Sequence, residues 1–436
     1  YPLDETTIER IGFSLATELT RRLGRAPKIV IGGDTRESGD WISDALARGA
    51  ITAKAEVINS GVITTPGVAY LTRKLEADAG VVISASHNPY QDNGIKVFAP
   101  SGQKLDDEAE KAIERDLEKD ADHFPAMTDL TVEADTNLKE KYLAFLRDEI
   151  GKGLNLAGPG SAKMKLVIDC ANGASYELAP RLFAALGAEL TVINAEPTGR
   201  NINLNCGSLH PEKLQEAVLA AKADAGLAFD GDADRLLLVD EQVQLVDGDQ
   251  MLFVMADYFS SQSKLAANRV VATVMSNLGL EVALRERGIE MVRTAVGDKN
   301  VLDELLKNGG SIGGEQSGHI IFPEISLAGD GMISALEVLR VMAESKRSLS
   351  DLAGGFVRYP QVLINVRVAR KPSMDSVEPI KSAMAFVEEE LGNKGRLLVR
   401  YSGTENLARV MIEGQNETAI RNQAESLAKL IKEQIG

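Results

Sequence analysis

Cysteine is scarce in this chain: Cys170 and Cys206 are the only two among 436 residues. Two thiols cannot lay down a disulfide framework at this length, and a reducing compartment is the plain expectation. Long apolar runs are missing too. No uninterrupted stretch approaches the ~20 residues a membrane-spanning helix needs, so none is expected. Residues 1–10 are polar and acidic rather than basic leading into apolar, which does not suit a secretory signal. Positive charge is in deficit, with 48 Lys and Arg against 64 Asp and Glu, a net charge of -16. So acidic a surface repels phosphate backbones and anionic lipid, and excludes nucleic acid and membrane surfaces as general partners. An anionic ligand would need the few cations gathered in one place. Histidine is also rare, with four in the chain. No pair of them has zinc-ligand spacing and neither cysteine has a near partner, which argues against a zinc site. Short-period repeats and low-complexity tracts are absent.

What is present is an ordinary globular balance, 44% hydrophobic and 26% charged, able to bury sizeable cores. At ~150 residues per domain the length suggests about three domains. Ile8, Ile11, Leu15 and Leu19 recur at helical spacing. Strand-like runs at 28–31, 56–58 and 80–84 alternate with helix-like stretches at 41–55 and 67–75, and this alternation predicts an α/β domain. Polar residues 119–135 and the Gly-rich 151–160 read as linkers. The rhythm restarts with strands at 164–169, 189–193 and 226–229 and helices at 176–186 and 211–221. A third round begins near Asp249, with strands at 270–274 and 290–294 and a helix at 332–343. The end differs: a strand at 362–368, a helix at 374–391, short strands at 396–400 and 408–412, and a helix at 418–435. The expected fold class is therefore α/β, with three related α/β domains with mixed sheets (1–150, 151–247, 248–358) and a smaller C-terminal α+β domain (359–436).

Binding groups in α/β folds collect on loops beyond the carboxyl ends of strands, and four such loops stand out. The first is Ser84-Ala85-Ser86-His87-Asn88-Pro89 with Lys96 close behind. It offers hydroxyls, an imidazole and an ammonium; its plain alternative is a polar capped turn. In the second, Asp230, Asp232 and Asp234 alternate and Arg235 follows. Three carboxylates on one curled loop repel one another unless a cation sits among them, and hard oxygen ligands favour Mg²⁺ or Ca²⁺. A helix-loop-helix calcium site is excluded, because its obligatory sixth-position glycine is Arg235 and the flanks read as strands. The third, Gly314-Glu315-Gln316-Ser317-Gly318-His319, suits a polyhydroxylated ligand. Glu315 in place of a glycine rules out a hydrolase nucleophile elbow at Ser317. The fourth runs from Arg400 through Ser402, Gly403 and Thr404 to Arg409, small residues between two arginines that could form a phosphate nest.

The ordered set of four resembles the α-D-phosphohexomutase superfamily, nearly end to end. The first loop is similar to its phosphoserine loop, the second to its magnesium loop, the third to its sugar-binding loop and the fourth to its phosphate-binding loop. Residues 201–212 resemble a signature of the branch acting on glucosamine phosphates. Gln316 also fits that branch, where the mannose and glucose phosphate branch usually has Met. The resemblance implies interconversion of glucosamine 6-phosphate and glucosamine 1-phosphate through a 1,6-bisphosphate, a cytoplasmic step toward UDP-N-acetylglucosamine. It implies Ser86 as the phosphorylated residue and Mg²⁺ held by Asp230, Asp232 and Asp234 together with Ser86. Lys96, His319 and His87 become acid/base candidates, and Arg235 a stabiliser of the transferring group. Glu315 and Ser317 would bind sugar, and Arg400, Ser402, Gly403, Thr404 and Arg409 the phosphate. A monomer or homodimer acting on a small sugar phosphate is expected. Competing readings are a mutase for mannose or glucose phosphates, a magnesium-dependent sugar phosphatase and a non-catalytic sugar-phosphate binder. Ala328 and Asn406 depart from the family's usual Thr and Pro. The family's Gly-Thr-Asp-Gly-x-Arg-Gly segment does not occur in the sequence, leaving one active-site arginine unaccounted for.

Overall fold

The computed structural model describes residues 3–119, 124–157, 163–402 and 405–436. They form two compact units, Tyr1–Val274 with Val292–Gly354, and Met275–Met291 with Gly355–Gly436. The larger unit is built on sheets that repeat one plan. In the first, β1 (Lys28–Gly33), β2 (Glu56–Val62), β3 (Ala79–Ile83) and β4 (Ile95–Phe98) lie in the order β2-β1-β3-β4. β1 runs parallel to β2 and β3, whereas β4 is antiparallel to β3. The second joins β5 (Lys165–Asp169), β6 (Glu189–Ile193), β7 (Ala225–Phe229), β8 (Leu236–Asp240) and β9 (Leu245–Val246) as β6-β5-β7-β8-β9. There the turn to antiparallel pairing falls between β7 and β8. The third sheet has the order β11-β10-β12-β13, from β10 (Arg269–Thr273), β11 (Glu290–Thr294), β12 (Gly313–Gly314) and β13 (Ile320–Ile321), with β12 and β13 antiparallel. These are the mixed sheets expected of an α/β fold.

Ile29, Val30 and Ile31 of β1, Val81 and Val82 of β3, and all of β7 are buried, because helices cover both faces of a parallel sheet. The first helix, Glu5–Leu23, is opened by the Asp4 side chain accepting from the Thr7 N–H and closed by Gly24 at φ 69°. It buries Ile8, Leu15 and Leu19 on one face. The end of the first expected linker, 119–135, is docked on the first sheet: the Asn59 side chain donates to the Val132 carbonyl at 3.0 Å, and the Asn59 carbonyl accepts from the Asp135 N–H at 2.8 Å.

In the smaller unit β14 (Gln361–Arg367), β15 (Gly395–Tyr401) and β16 (Leu407–Gly414) form an antiparallel sheet of order β14-β16-β15. Helices Glu378–Leu391 and Glu417–Ile435 pack on it through Ile380, Val387, Ile420, Leu427 and Ile431. The expected helix at 374–391 starts later than its pattern suggested. Met374–Ser376 is a single tight turn, and Pro379 lies in the first turn of the true helix, where its fixed φ and missing N–H are tolerated. Several elements were not expected, among them the helices Asp107–Leu117, Gly248–Ser261 and Asp298–Asn308.

The four chemically rich loops share one position. Each joins a strand to its antiparallel neighbour: β3 to β4, β7 to β8, β12 to β13 and β15 to β16.

Candidate active site

Ser86 is buried and sits at φ 50°, a left-handed backbone that a non-glycine residue adopts only when its surroundings enforce it. The enforcement is visible. The Ser86 N–H donates to Ser84 Oγ at 2.9 Å. The Ser86 carbonyl accepts from Arg36 Nη2 at 3.2 Å and from Asn203 Nδ2 at 2.9 Å. The Asn88 carbonyl accepts from the same two side chains, at 2.6 and 3.0 Å. Arg36 is itself buried against Asp34, which also accepts from the Ser84 hydroxyl. Burial pushes the Asp34 carboxyl up, and Arg36 beside it pulls the other way. The loop is thus held by its own carbonyls, leaving Ser86 Oγ free to donate to Asp230 Oδ2 at 2.6 Å. His87 Nδ1 lies 3.4 Å from that hydroxyl and 3.1 Å from Arg235 Nη1. Burial, followed by the Arg235 charge, lowers the His87 pKa, favouring the neutral ring.

Asp230, Asp232 and Asp234 converge, one carboxylate oxygen from each lying within 4.8 Å of the others. Each also has a donor from another segment. Asp230 takes Ser86 Oγ and, at 3.3 Å, the Arg235 N–H. Asp232 Oδ2 takes Thr65 Oγ1 at 2.5 Å and Lys96 Nζ at 2.6 Å. Asp234 Oδ2 faces His319 Nδ1 at 3.6 Å and Lys96 Nζ at 3.8 Å. Burial, then the charges of Asp234 and Asp232, pushes the Asp230 carboxyl well up. Burial works against the Lys96 ammonium, but Asp232 and Asp234 outweigh it and hold Lys96 charged. Asp234 goes down: Lys96 and His319 overcome its burial. The His319 pKa goes up, because Asp234 and Asp298 overcome the burial that disfavours its charge.

Asp232 Oδ1 and Asp234 Oδ1 are buried without a hydrogen-bond partner among the described residues. Stranding buried carboxylate oxygens is expensive. Converging hard oxygens of this kind fit a hard divalent cation, Mg²⁺ or Ca²⁺.

The third loop packs against the second: the Leu236 N–H donates to the Gly318 carbonyl at 3.1 Å. Gly318 lies at φ 89°, and a Cβ there would fall 1.9 Å from the Leu236 carbonyl, so only glycine fits. Glu315 Oε1 accepts from the Gly297 N–H at 3.0 Å. Ser317 Oγ and His319 Nε2 are buried and have no hydrogen-bond partner among the described residues. In the smaller unit Arg400 and Arg409 stand directly opposite each other on β15 and β16. Like charges at such a pair repel unless an anion or acid offsets them. Arg409 reaches Glu405 at 3.3 Å, and burial, then Arg409, lowers the Arg400 pKa. Ser402 is buried, while Gly403 and Thr404 lie outside the described residues.

The larger unit therefore brings Ser86, His87, Lys96, Arg235, His319 and the three aspartates together. Arg36, Asp34, Thr65 and Asn203 were not expected there. Asp34 and Arg36 follow directly on β1 and could have been found by the same strand-end rule that picked out the other loops.

The chain matches four domain families in order. They are phosphoglucomutase/phosphomannomutase alpha/beta/alpha domain I over residues 1–123, domain II over 140–244, domain III over 247–359 and the C-terminal domain over 363–430. The phosphoglucosamine mutase of Solibacter usitatus is 47% identical in an alignment of 441 positions that covers 100% of this chain and 96% of that protein. Among solved structures, a phosphoglucomutase/phosphomannomutase family protein from Burkholderia thailandensis superposes with TM-score 0.81 at 24% identity, covering 100% of this chain and 95% of the other. The Aspergillus fumigatus N-acetylphosphoglucosamine mutase, solved in complex with GlcNAc-6P and magnesium, shares the fold at TM-score 0.64 and 20% identity, covering 85% of this chain and 93% of that one. With its four matched domains and full-length relatives, this chain belongs to the phosphoglucomutase/phosphomannomutase family, the α-D-phosphohexomutases.

Proposed function

We propose that this enzyme interconverts glucosamine 6-phosphate and glucosamine 1-phosphate, with Ser86 as the phosphoryl carrier. The observation that carries the reading is the Ser86 hydroxyl, buried and donating at 2.6 Å into a triad of carboxylates. Phosphoryl transfer needs positioning and charge neutralisation more than covalent assistance. Arg400, Ser402, Gly403, Thr404 and Arg409 bind the phosphate that stays on the sugar, through charge-assisted hydrogen bonds. Glu315 and Ser317 take sugar hydroxyls, Ser317 with an Oγ that has no hydrogen-bond partner among the described residues. The free sugar hydroxyl attacks phospho-Ser86. A new P–O bond forms to the sugar as the P–Oγ bond breaks, and the proton shed by the sugar ends on Ser86 Oγ, where Asp230 receives its hydrogen bond. His319 through Nε2 and His87 beside Oγ would pass that proton, Lys96 being held charged by Asp232 and Asp234. Arg235 and the charged Lys96 offset negative charge on the transferring group. The 1,6-bisphosphate reorients and returns its other phosphoryl group to Ser86. Mg²⁺, held by Asp230, Asp232 and Asp234 with the Ser86 oxygen, supplies further neutralisation of phosphoryl charge when bound. A cytoplasmic location is part of this reading, in keeping with the two free cysteines, Cys170 and Cys206.

The amino-sugar assignment rests on the full-length relatives named phosphoglucosamine mutase. Turnover should be measured on glucosamine 6-phosphate, mannose 6-phosphate and glucose 6-phosphate, with release of free phosphate followed in parallel. Glucosamine 6-phosphate should exceed the others in kcat/KM by at least about tenfold, the discrimination a few kcal/mol of pocket contacts provides. Free phosphate should stay at background. Equal turnover on a neutral hexose phosphate would overturn the specificity, and steady phosphate release the mutase reading.

The same geometry makes Gly231 critical. A Cβ at Gly231 would lie 2.5 Å from the Ser86 carbonyl and 2.8 Å from Asn203 Nδ2. Gly231→Ala should push the serine loop from the carboxylates and lower kcat/KM about 10²-fold, the cost of an ångström-scale misplacement. Near-normal kinetics would mean that the contact between these loops does not matter.

A further inference from the structure

We infer that Thr65 is a positioning residue for Asp232 and sets the affinity of the proposed Mg²⁺ site, on which this inference rests. Thr65 is the first residue of the helix Thr65–Lys74, directly after the N-cap Thr64, whose side chain accepts from the Gly67 N–H. The helix start explains Thr64 and Pro66 without reference to anything beyond the helix. It does not explain Thr65, which is buried and turned toward the second sheet.

Thr65 holds Asp232 at two points. Its N–H, one of the donors a helix N-terminus leaves unused, donates to the Asp232 carbonyl at 3.0 Å. Its hydroxyl donates to Asp232 Oδ2 at 2.5 Å. Lys96 Nζ shares that same oxygen at 2.6 Å. Two donors on Oδ2 fix the rotation of the carboxylate and leave Oδ1, buried and without a hydrogen-bond partner among the described residues, as the oxygen available for a cation. The stiff χ1 of a β-branched side chain narrows the rotation further. Asp230 is oriented by Ser86 and Asp234 by His319, groups that also face the reaction. Thr65 is neither an acid/base group nor a phosphate ligand and reaches the site through Asp232, while Lys96 keeps its own bond to Oδ2, so loss of Thr65 should be read first in the metal affinity.

Outer partners of metal ligands commonly change affinity by about 10- to 100-fold when removed. Thr65→Val keeps the shape and deletes the donor. In calorimetric titration of the full, dephosphorylated chain with Mg²⁺ alone, Thr65→Val should raise the dissociation constant at least about tenfold. Thr65→Ser, which restores the hydroxyl, should return to within about twofold of wild type. In turnover assays the Thr65→Val deficit should shrink as Mg²⁺ is raised, a recovery that a merely structural defect would not give. Thr65→Ala, smaller than valine and equally without a donor, repeats the test should Thr65→Val fold poorly. Wild-type Mg²⁺ affinity in Thr65→Val and Thr65→Ala, or a Thr65→Ser variant as impaired as Thr65→Val, would overturn the inference. A wild-type chain that takes up no Mg²⁺ would instead bring down the metal reading itself, and this inference with it.

Discussion

Replacing Ser86 with alanine should reduce turnover of glucosamine 6-phosphate at least about 10⁴-fold, as loss of a covalent nucleophile does when no other group can take its place. The hydroxyl oxygen is the only atom removed. Its hydrogen bonds are the one donated to Asp230 and a long approach to His87 at 3.4 Å. The backbone contacts that hold the loop come from the Ser86 N–H and carbonyl, which alanine retains. Asp230 keeps the Arg235 N–H. The stability cost should therefore be near that of one buried hydrogen bond, about 1–2 kcal/mol, and the thermal midpoint should move by only a few degrees. The two readouts separate chemistry from folding. Intact-mass measurement after incubation with a hexose 1,6-bisphosphate adds a third: wild-type chain should gain one phosphoryl group and the variant none. A variant that turned over at near-normal rate, or still accepted the phosphoryl group, would refute Ser86 as the carrier.

Much of this fold was legible because parallel sheets declare themselves. β1, β3 and β7 are short apolar runs closed by glycine, serine or aspartate, and their loops carry the chemistry. The first helix was readable from Ile8, Ile11, Leu15 and Leu19, and it buries Ile8, Leu15 and Leu19. Illegible elements had weaker signals. β12 is only Gly313–Gly314, and glycine carries no side-chain pattern; it pairs because β10 and β13 flank it. The helix Asp107–Leu117 buries only Ala109 and Ile113, too few apolar positions to outline a face.

The site divides in the same way. Residues proposed to meet the substrate sit in dense polar loops and could be picked out from composition. Residues that hold those loops are separated from them in sequence: Thr65 reaches Asp232, and Asn203 reaches the Ser86 and Asn88 carbonyls. Nothing in a single threonine or asparagine announces a contact made across more than a hundred residues. The resemblance to the superfamily named the chemistry, but the supports had to come from coordinates.

Arg36 is the support with the most at stake. Its side chain is fully buried, paired with an equally buried Asp34, and it donates to the carbonyls of Ser86 and Asn88. Arg36→Met fills similar space and deletes every donor. Breaking a buried ion pair from one side leaves the other charge uncompensated, at a cost of about 3–5 kcal/mol, and the loop loses two of the bonds that hold Ser86 at φ 50°. Chemical denaturation should show that loss, and kcat should fall with it. The sign of the pH dependence follows from Asp34. Burial already raises its folded pKa above the ordinary value, and Arg36 is the first influence opposing that rise. Without Arg36 the folded pKa climbs further while the unfolded one stays ordinary. The folded variant then binds a proton that the unfolded chain releases, so its stability falls as pH rises through that interval. The deficit of Arg36→Met against wild type should be smaller at about pH 5 than at about pH 8. Adding Asp34→Asn should recover a large part of it at the higher pH, because the stranded charge is gone. The activity, which depends on the held loop rather than on the charge balance, should not return. An Arg36→Met variant of wild-type stability, or a double variant no more stable than the single one, would show that Asp34 carries no buried charge needing Arg36.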